Sequence, residues 1–85
     1  MIHARSDYNR IQDPAGKIGK DEPVFLLRAK DKIAAATVYH WADLLEDVGG
    51  DPELVEHVRA HAERMYDWGQ ENNMKLPDAP ASTLK

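Results

Sequence analysis

The sequence predicts a small α+β protein with an irregular amino-terminal arm over residues 1–22, one short strand over 23–29, and two antiparallel helices over 32–48 and 52–71. Three observations predict this fold. An apolar run between a proline and an arginine is typical of a strand. Apolar residues then recur every three or four positions in two stretches, as in amphipathic helices. A glycine pair followed by Asp-Pro separates these stretches.

The chain has 85 residues, of which 42% are apolar and 31% charged, and it has no cysteine. This length predicts one domain with a thin core, which makes self-association an attractive supplement. Disulfides and thiolate metal sites are excluded. No apolar stretch approaches the roughly 18 residues of a membrane span, and the first residues do not form a signal peptide. We therefore expect a cytoplasmic protein without a membrane partner.

The predicted strand follows Pro23 and contains the apolar run Val24-Phe25-Leu26-Leu27, which ends at Arg28. A continuous run of this length predicts a strand that is buried on both faces. Its backbone groups need a hydrogen-bonding partner. The candidates are the segment near Ile2–Arg5, the segment near Ile11, and the same strand of another subunit. This requirement favours a homo-oligomer.

The first helix is expected to start after Asp31, whose carboxylate is a suitable N-cap, and to end before the glycine pair. Its predicted inward stripe is Ala34, Val38, Trp41, Leu45 and Val48, widened by Thr37 and Leu44.

The second helix has the clearest local signal, because Asp51 can cap it, Pro52 suits its first turn, and Glu53 faces the positive helix end. Its predicted inward residues are Leu54, Val55, Val58, Ala62, Met65 and Trp68. Gly69 weakens its end, and residues 72–85 contain prolines and little to bury. They predict a flexible tail, so that residues 1–71 form the single domain.

The net charge of −4 is unevenly distributed. Residues 1–32 carry seven Lys and Arg against five acidic residues, whereas the rest of the chain carries four against ten. The acidic part is a poor surface for duplex DNA. The basic part can hold one small anion, although it is also typical of solvated surface or of head-to-tail contacts between subunits.

Four residues are the candidate ligand-binding set: Tyr8, Arg10, Lys17 and Arg28. Arginine offers a planar fork for phosphate, and tyrosine can stack on a base. Lys17 lies in Gly16-Lys17-Ile18-Gly19-Lys20, which does not match a phosphate-loop motif and is equally typical of a flexible turn. The alternative for Arg28 is an ion pair with Asp31 or Glu22.

The sequence contains no recognisable nucleophile–base arrangement, and its two serines lie in irregular segments. His57 and His61 are four residues apart, a spacing that can bridge a metal ion, but two ligands are too few for a zinc site. We therefore expect no enzyme activity, no cofactor and no metal.

Three features of the chain occur together: Tyr8-Asn9-Arg10-Ile11-Gln12-Asp13-Pro14, the segment from Asp21 to Arg28, and Asp31 leading into a helix with Trp41. In this combination, the chain resembles small uncharacterised accessory proteins of phages and mobile elements. The resemblance implies a protein that acts by binding, including counter-defence proteins that block a host complex or sequester a nucleotide signal.

Two function hypotheses follow. The first is a non-enzymatic binding protein that captures a small anionic, nucleotide-like ligand at a subunit interface. The alternative is a protein–protein inhibitor or adaptor that uses its acidic helical hairpin to occupy a basic host surface. The acidic residues of that hairpin are Asp43, Glu46, Asp47, Glu53, Glu56 and Glu63.

Overall fold

The computed structural model describes residues 1–8 and 12–84. In chain order its elements are β1 (Ile2–His3), a 3₁₀ turn (Ser6–Tyr8), β2 (Pro23–Val24), α1 (Ala34–Asp47), α2 (Pro52–Glu71) and a second 3₁₀ turn (Ala81–Thr83). The chain forms two compact units. We call Met1–Leu26 with Asp78–Lys85 the strand unit, and Leu27–Pro77 the helix unit.

In the strand unit, β1 and β2 form a parallel pair in which Ile2 lies opposite Pro23 and His3 opposite Val24. The segment near Ile2 is thus the partner of the apolar run, one of the three predicted candidates. The strand itself is much shorter than the predicted 23–29, and it is not buried on both faces. Phe25 is 73% exposed, because a two-stranded pair covers little of the run beyond it.

The last residues of the chain also have backbone partners, where the sequence predicts a flexible tail. Leu84 forms an antiparallel bridge with Arg5, and the Arg5 guanidinium donates a hydrogen bond to the carbonyl oxygen of Asp78 at 2.8 Å. These contacts place residues 78–84 in the strand unit.

In the helix unit, α1 and α2 form the predicted helical hairpin. Gly49 adopts the left-handed conformation, with φ of +79°, that allows the chain to leave α1. The Asp51 carboxylate accepts a hydrogen bond from the Glu53 backbone N–H at 2.9 Å, and Pro52 occupies the first turn. The observed bounds of α2 coincide with the predicted ones.

The start of α1 differs from the prediction, since Asp31 is not its N-cap and the residue at that position is Ile33. The backbone around Asp31 is instead held by a bridge to a distant residue. Lys32 N–H donates to the Lys75 carbonyl at 2.7 Å, and Lys75 N–H donates to that of Lys30 at 2.9 Å. Helix α1 begins only after this pairing ends, at Ala34.

The predicted inward stripe of α1 is also partly wrong. Ala34 and Ala42 are its buried residues, whereas Trp41 is half exposed and Val48 is 80% exposed. From α2, the buried apolar side chains are those of Val55, Ala62 and Met65. Small side chains let two helices approach closely, so the packing face follows the alanines rather than the largest apolar residues.

No helix in the described residues is long and apolar enough to cross a membrane.

A candidate anion-binding groove

A groove of about 480 Å³ lies in the helix unit, between the segment that precedes α1 and the carboxyl-terminal half of α2. The segment contributes Leu27, Arg28, Ala29 and Lys30, and the helix contributes His61, Arg64, Met65 and Trp68. The four helix residues are three or four positions apart and therefore share one face of α2.

Gly69 is what lets the segment lie close against α2. It is buried, and a Cβ atom at this position would lie 3.0 Å from both the Ala29 carbonyl oxygen and the Met74 sulfur. The Lys30 ammonium group donates a hydrogen bond of 2.5 Å to the Asn72 carbonyl oxygen, just beyond the end of the helix. Both contacts attach the segment to the rigid helix and so define the shape of the groove.

Among the described residues, the charged side chains that line the groove are all cationic. Its lining includes Arg28, Lys30 and Arg64, together with the imidazole of His61, and no carboxylate. Among the described residues of the helix unit, neither Arg28 nor Arg64 forms an ion pair, and the predicted alternative of Arg28 with Asp31 is not found there. Cationic groups without carboxylate partners attract an anion and can donate charge-assisted hydrogen bonds to it.

Trp68 gives the groove an aromatic wall. It is 47% exposed, although the sequence predicts it inward, and it lines the groove near the end of α2. A half-exposed indole offers a flat face on which a planar ring can stack. The groove therefore combines groups that suit phosphate with a surface that suits a base.

Of the four predicted ligand-binding residues, the structure places Arg28 in this groove. Tyr8 lies in the strand unit, where the Arg5 guanidinium is 4.7 Å from its ring centre. Lys17 is exposed in a loop of the same unit. Arg10 lies outside the described residues. Within the helix unit the structure therefore contains one of these four residues, Arg28, and it does not test whether the four act as a set.

Sequence reasoning missed the other lining residues of the groove. Arg64 was not among the predicted ligand-binding residues, and His61 was considered only with His57 as a metal ligand pair. The available signal was the spacing of His61, Arg64 and Trp68 on one face of α2, directly before Gly69. In the described part of the chain, no three His, Asp or Glu side chains are grouped so that they could hold a metal ion.

A second charged cluster, which we call the Arg59 cluster, joins α1 to the amino-terminal half of α2. The Arg59 guanidinium donates to the carboxylate of Asp43 at 2.7 Å and to both oxygens of Glu46 at 3.1 Å. It also lies 5.6 Å from the Tyr39 ring centre. The hydrogen bonds and charge of Arg59 lower the pKa of Glu46, and both carboxylates raise the pKa of Arg59. This arginine is already neutralised by the protein itself.

No protein-family model, curated protein or solved structure matches the chain. The geometry and charge of the groove are therefore the observations that point to a function.

Proposed function

We propose that the protein is a non-enzymatic binding protein whose groove captures a small anionic ligand with a planar ring, as in a nucleotide. One observation carries this proposal. In a chain with 15 acidic residues, three cationic side chains, a histidine and a half-exposed tryptophan line a groove without a single carboxylate.

The two arginines have different positions and complementary roles in this proposal. Arg28 precedes a segment that is attached to α2 through Ala29 and Lys30, and Arg64 projects from α2 itself. Two guanidinium groups from opposite walls can each present a planar fork to one phosphate group. Trp68 then holds the ring by stacking. Binding is favoured because the cationic lining residues supply groups that hold an anion.

Tryptophan fluorescence tests the proposal directly. In a Trp41→Phe background Trp68 is the remaining tryptophan, so ligand stacking is expected to quench its emission. We would titrate this protein with ATP, with adenosine and with inorganic pyrophosphate. ATP is expected to bind most tightly, because it engages both the arginines and the indole. Equal weak binding of all three compounds would contradict the proposal.

Variants then identify the groups that bind. Charge-assisted hydrogen bonds contribute about 1.5–3 kcal/mol, so Arg64→Ala is expected to weaken ATP binding roughly ten- to a hundredfold, and Arg28→Ala similarly. Lys32→Ala removes the same charge from an exposed residue that does not line the groove, and serves as the matched control. If Lys32→Ala weakens binding as much as Arg64→Ala does, only general electrostatic attraction is present.

The resemblance to phage and mobile-element proteins suggests a setting for this activity. In that setting, capture of a nucleotide would sequester a host signal and act as counter-defence.

The alternative function, an acidic hairpin that occupies a basic host surface, has support from a second concavity of about 500 Å³. Glu46, Glu56 and Glu63 line it, with Arg59 among them. Arg59 offsets the charge of Asp43 and Glu46, so the exposed acids Asp47, Glu53, Glu56 and Glu63 would carry the mimicry. Binding of this kind is expected to weaken steeply as salt rises, and reversing Asp47 to Lys should reduce it.

A further inference from the structure

One face of α1 is apolar and exposed. Five residues at spacings of three or four positions lie along one side of this helix. We call them the α1 stripe: Ile33, Thr37, Trp41, Leu44 and Val48. Its four large apolar members are each at least half exposed. The contact with α2 uses a different face of α1, on which Ala34 and Ala42 are buried.

The core of the protein gives a reason to expect a partner on this stripe. Within the described residues, the buried apolar set is three alanines, Val55 and Met65, and no large side chain is fully buried. A domain of this size has little core to spare. Large apolar side chains aligned on the outside of a rigid helix are typical of interfaces, where an aromatic residue often lies at the centre.

We propose that the α1 stripe is the interface of a homodimer in which two copies of α1 pack antiparallel around a two-fold axis near Trp41. A two-fold interface brings the same surface of both copies together. Trp41 lies near the middle of the stripe, so it meets Trp41 of the second copy. Ile33, at one end, then packs against Val48 at the other.

One charged residue at each end of the stripe favours this direction. Lys32 lies at the amino-terminal end, and Asp47 lies at the carboxyl-terminal end. Neither side chain forms an ion pair within the part of the chain that the structure describes. Antiparallel packing brings Lys32 of each copy toward Asp47 of the other, whereas parallel packing would place the two Asp47 side chains together. Opposite charges at the rim of an interface set its orientation.

Sedimentation velocity over a range of protein concentrations tests the interface. The wild-type protein is expected to change from monomer to dimer, and Leu44→Glu is expected to weaken the dimer at least tenfold while circular dichroism shows intact helices. Leu76→Glu places the same charge on another exposed leucine, outside α1, and is expected to dimerise as the wild type does. A wild-type protein that stays monomeric, or a Leu44→Glu dimer of unchanged affinity, overturns the proposal.

Cross-linking tests the direction, because the natural chain has no cysteine. Residues 33 and 48 are about 22 Å apart along a helix, too far for a link within one chain. Ile33→Cys/Val48→Cys is therefore expected to form a disulfide-linked dimer on oxidation, and Ile33→Cys alone is not. A dimer linked through Ile33→Cys alone shows parallel pairing and overturns the proposal, as does the absence of any link in the double variant.

The charges give an independent check. Lys32→Asp is expected to weaken the dimer, and adding Asp47→Lys to the same chain is expected to restore it. Failure of the second substitution to restore affinity contradicts the antiparallel arrangement.

Discussion

The two halves of α2 use their arginines in opposite ways. In the amino-terminal half, Arg59 is held by Asp43 and Glu46 from α1, so its charge stabilises the contact between the helices. In the carboxyl-terminal half, Arg64 faces Arg28 across a groove that contains no carboxylate. The same residue type on one helix is structural where the neighbouring element is acidic, and is available to a ligand where that element is basic.

The largest effect is expected from breaking the groove at its base. Gly69→Val would place a branched side chain where a single Cβ atom already lies 3.0 Å from the Ala29 carbonyl oxygen. Overpacking of this kind costs about 2 kcal/mol in the free energy of unfolding, and it should also move the segment carrying Arg28 and abolish ligand binding. Urea unfolding and the ATP titration measure the two effects.

Two controls sharpen this experiment. Gly69→Ala gains about 1 kcal/mol of helix propensity, which offsets its tighter contact, so its stability should stay near that of the wild type. Ala60→Val introduces the same branched residue at an exposed position of α2, and binding should persist. If Gly69→Val has the same urea unfolding midpoint and the same ATP affinity as Ala60→Val, the close approach at Gly69 does not shape the groove.

A smaller effect is expected at the other end of α2. Asp51→Ala removes the hydrogen bond to the Glu53 backbone N–H and should lower the free energy of unfolding by about 1 kcal/mol. Because this cap lies in the half of α2 that carries Arg59, ATP affinity should be unchanged under folding conditions.

Asp31→Ala is the matched control for the cap, since the sequence predicts Asp31 as the cap of α1 but the structure shows no side-chain cap there. Denaturant midpoints for the two variants should therefore differ. An equal loss of stability would indicate that Asp31 also caps a helix.

The contrast between these two aspartates shows which features the sequence predicts well. The start of α2 depends on adjacent residues alone, and its bounds follow from Asp51 and Pro52. The start of α1 depends on the backbone bridge between Asp31 and Lys75, which are far apart in the chain and carry no sequence pattern that reveals the pairing. Local signals predict elements, and non-local hydrogen bonds adjust their ends.

The sequence did not predict the groove, for the same physical reason. Arg28 was identified as a ligand-binding candidate because it follows an apolar run, but its partners depend on how the segment crosses α2. Gly69 was interpreted as a weak point of the helix, whereas the structure shows it as the place of closest approach. The outward position of Trp41 was likewise not predictable from helical spacing, which defines faces without showing which face meets the neighbouring helix.

The smallest effect is expected at the exposed Arg59 cluster, and pH separates it from the groove. Because Arg59 lowers the pKa of Glu46 below its ordinary value of 4.5, the ionised carboxylate stabilises the folded state. That stability is fully present above the ordinary pKa and is lost as the pH falls through the lowered one. Glu46→Gln should thus be less stable than the wild type at neutral pH, and the difference should disappear once the pH has fallen below the lowered pKa of Glu46. Glu63→Gln, an exposed carboxylate of α2 outside this cluster, should show no such convergence in its denaturant midpoints. A Glu46→Gln deficit that persists in acid would mean that packing of the side chain, rather than its charge beside Arg59, holds this half of α2 against α1.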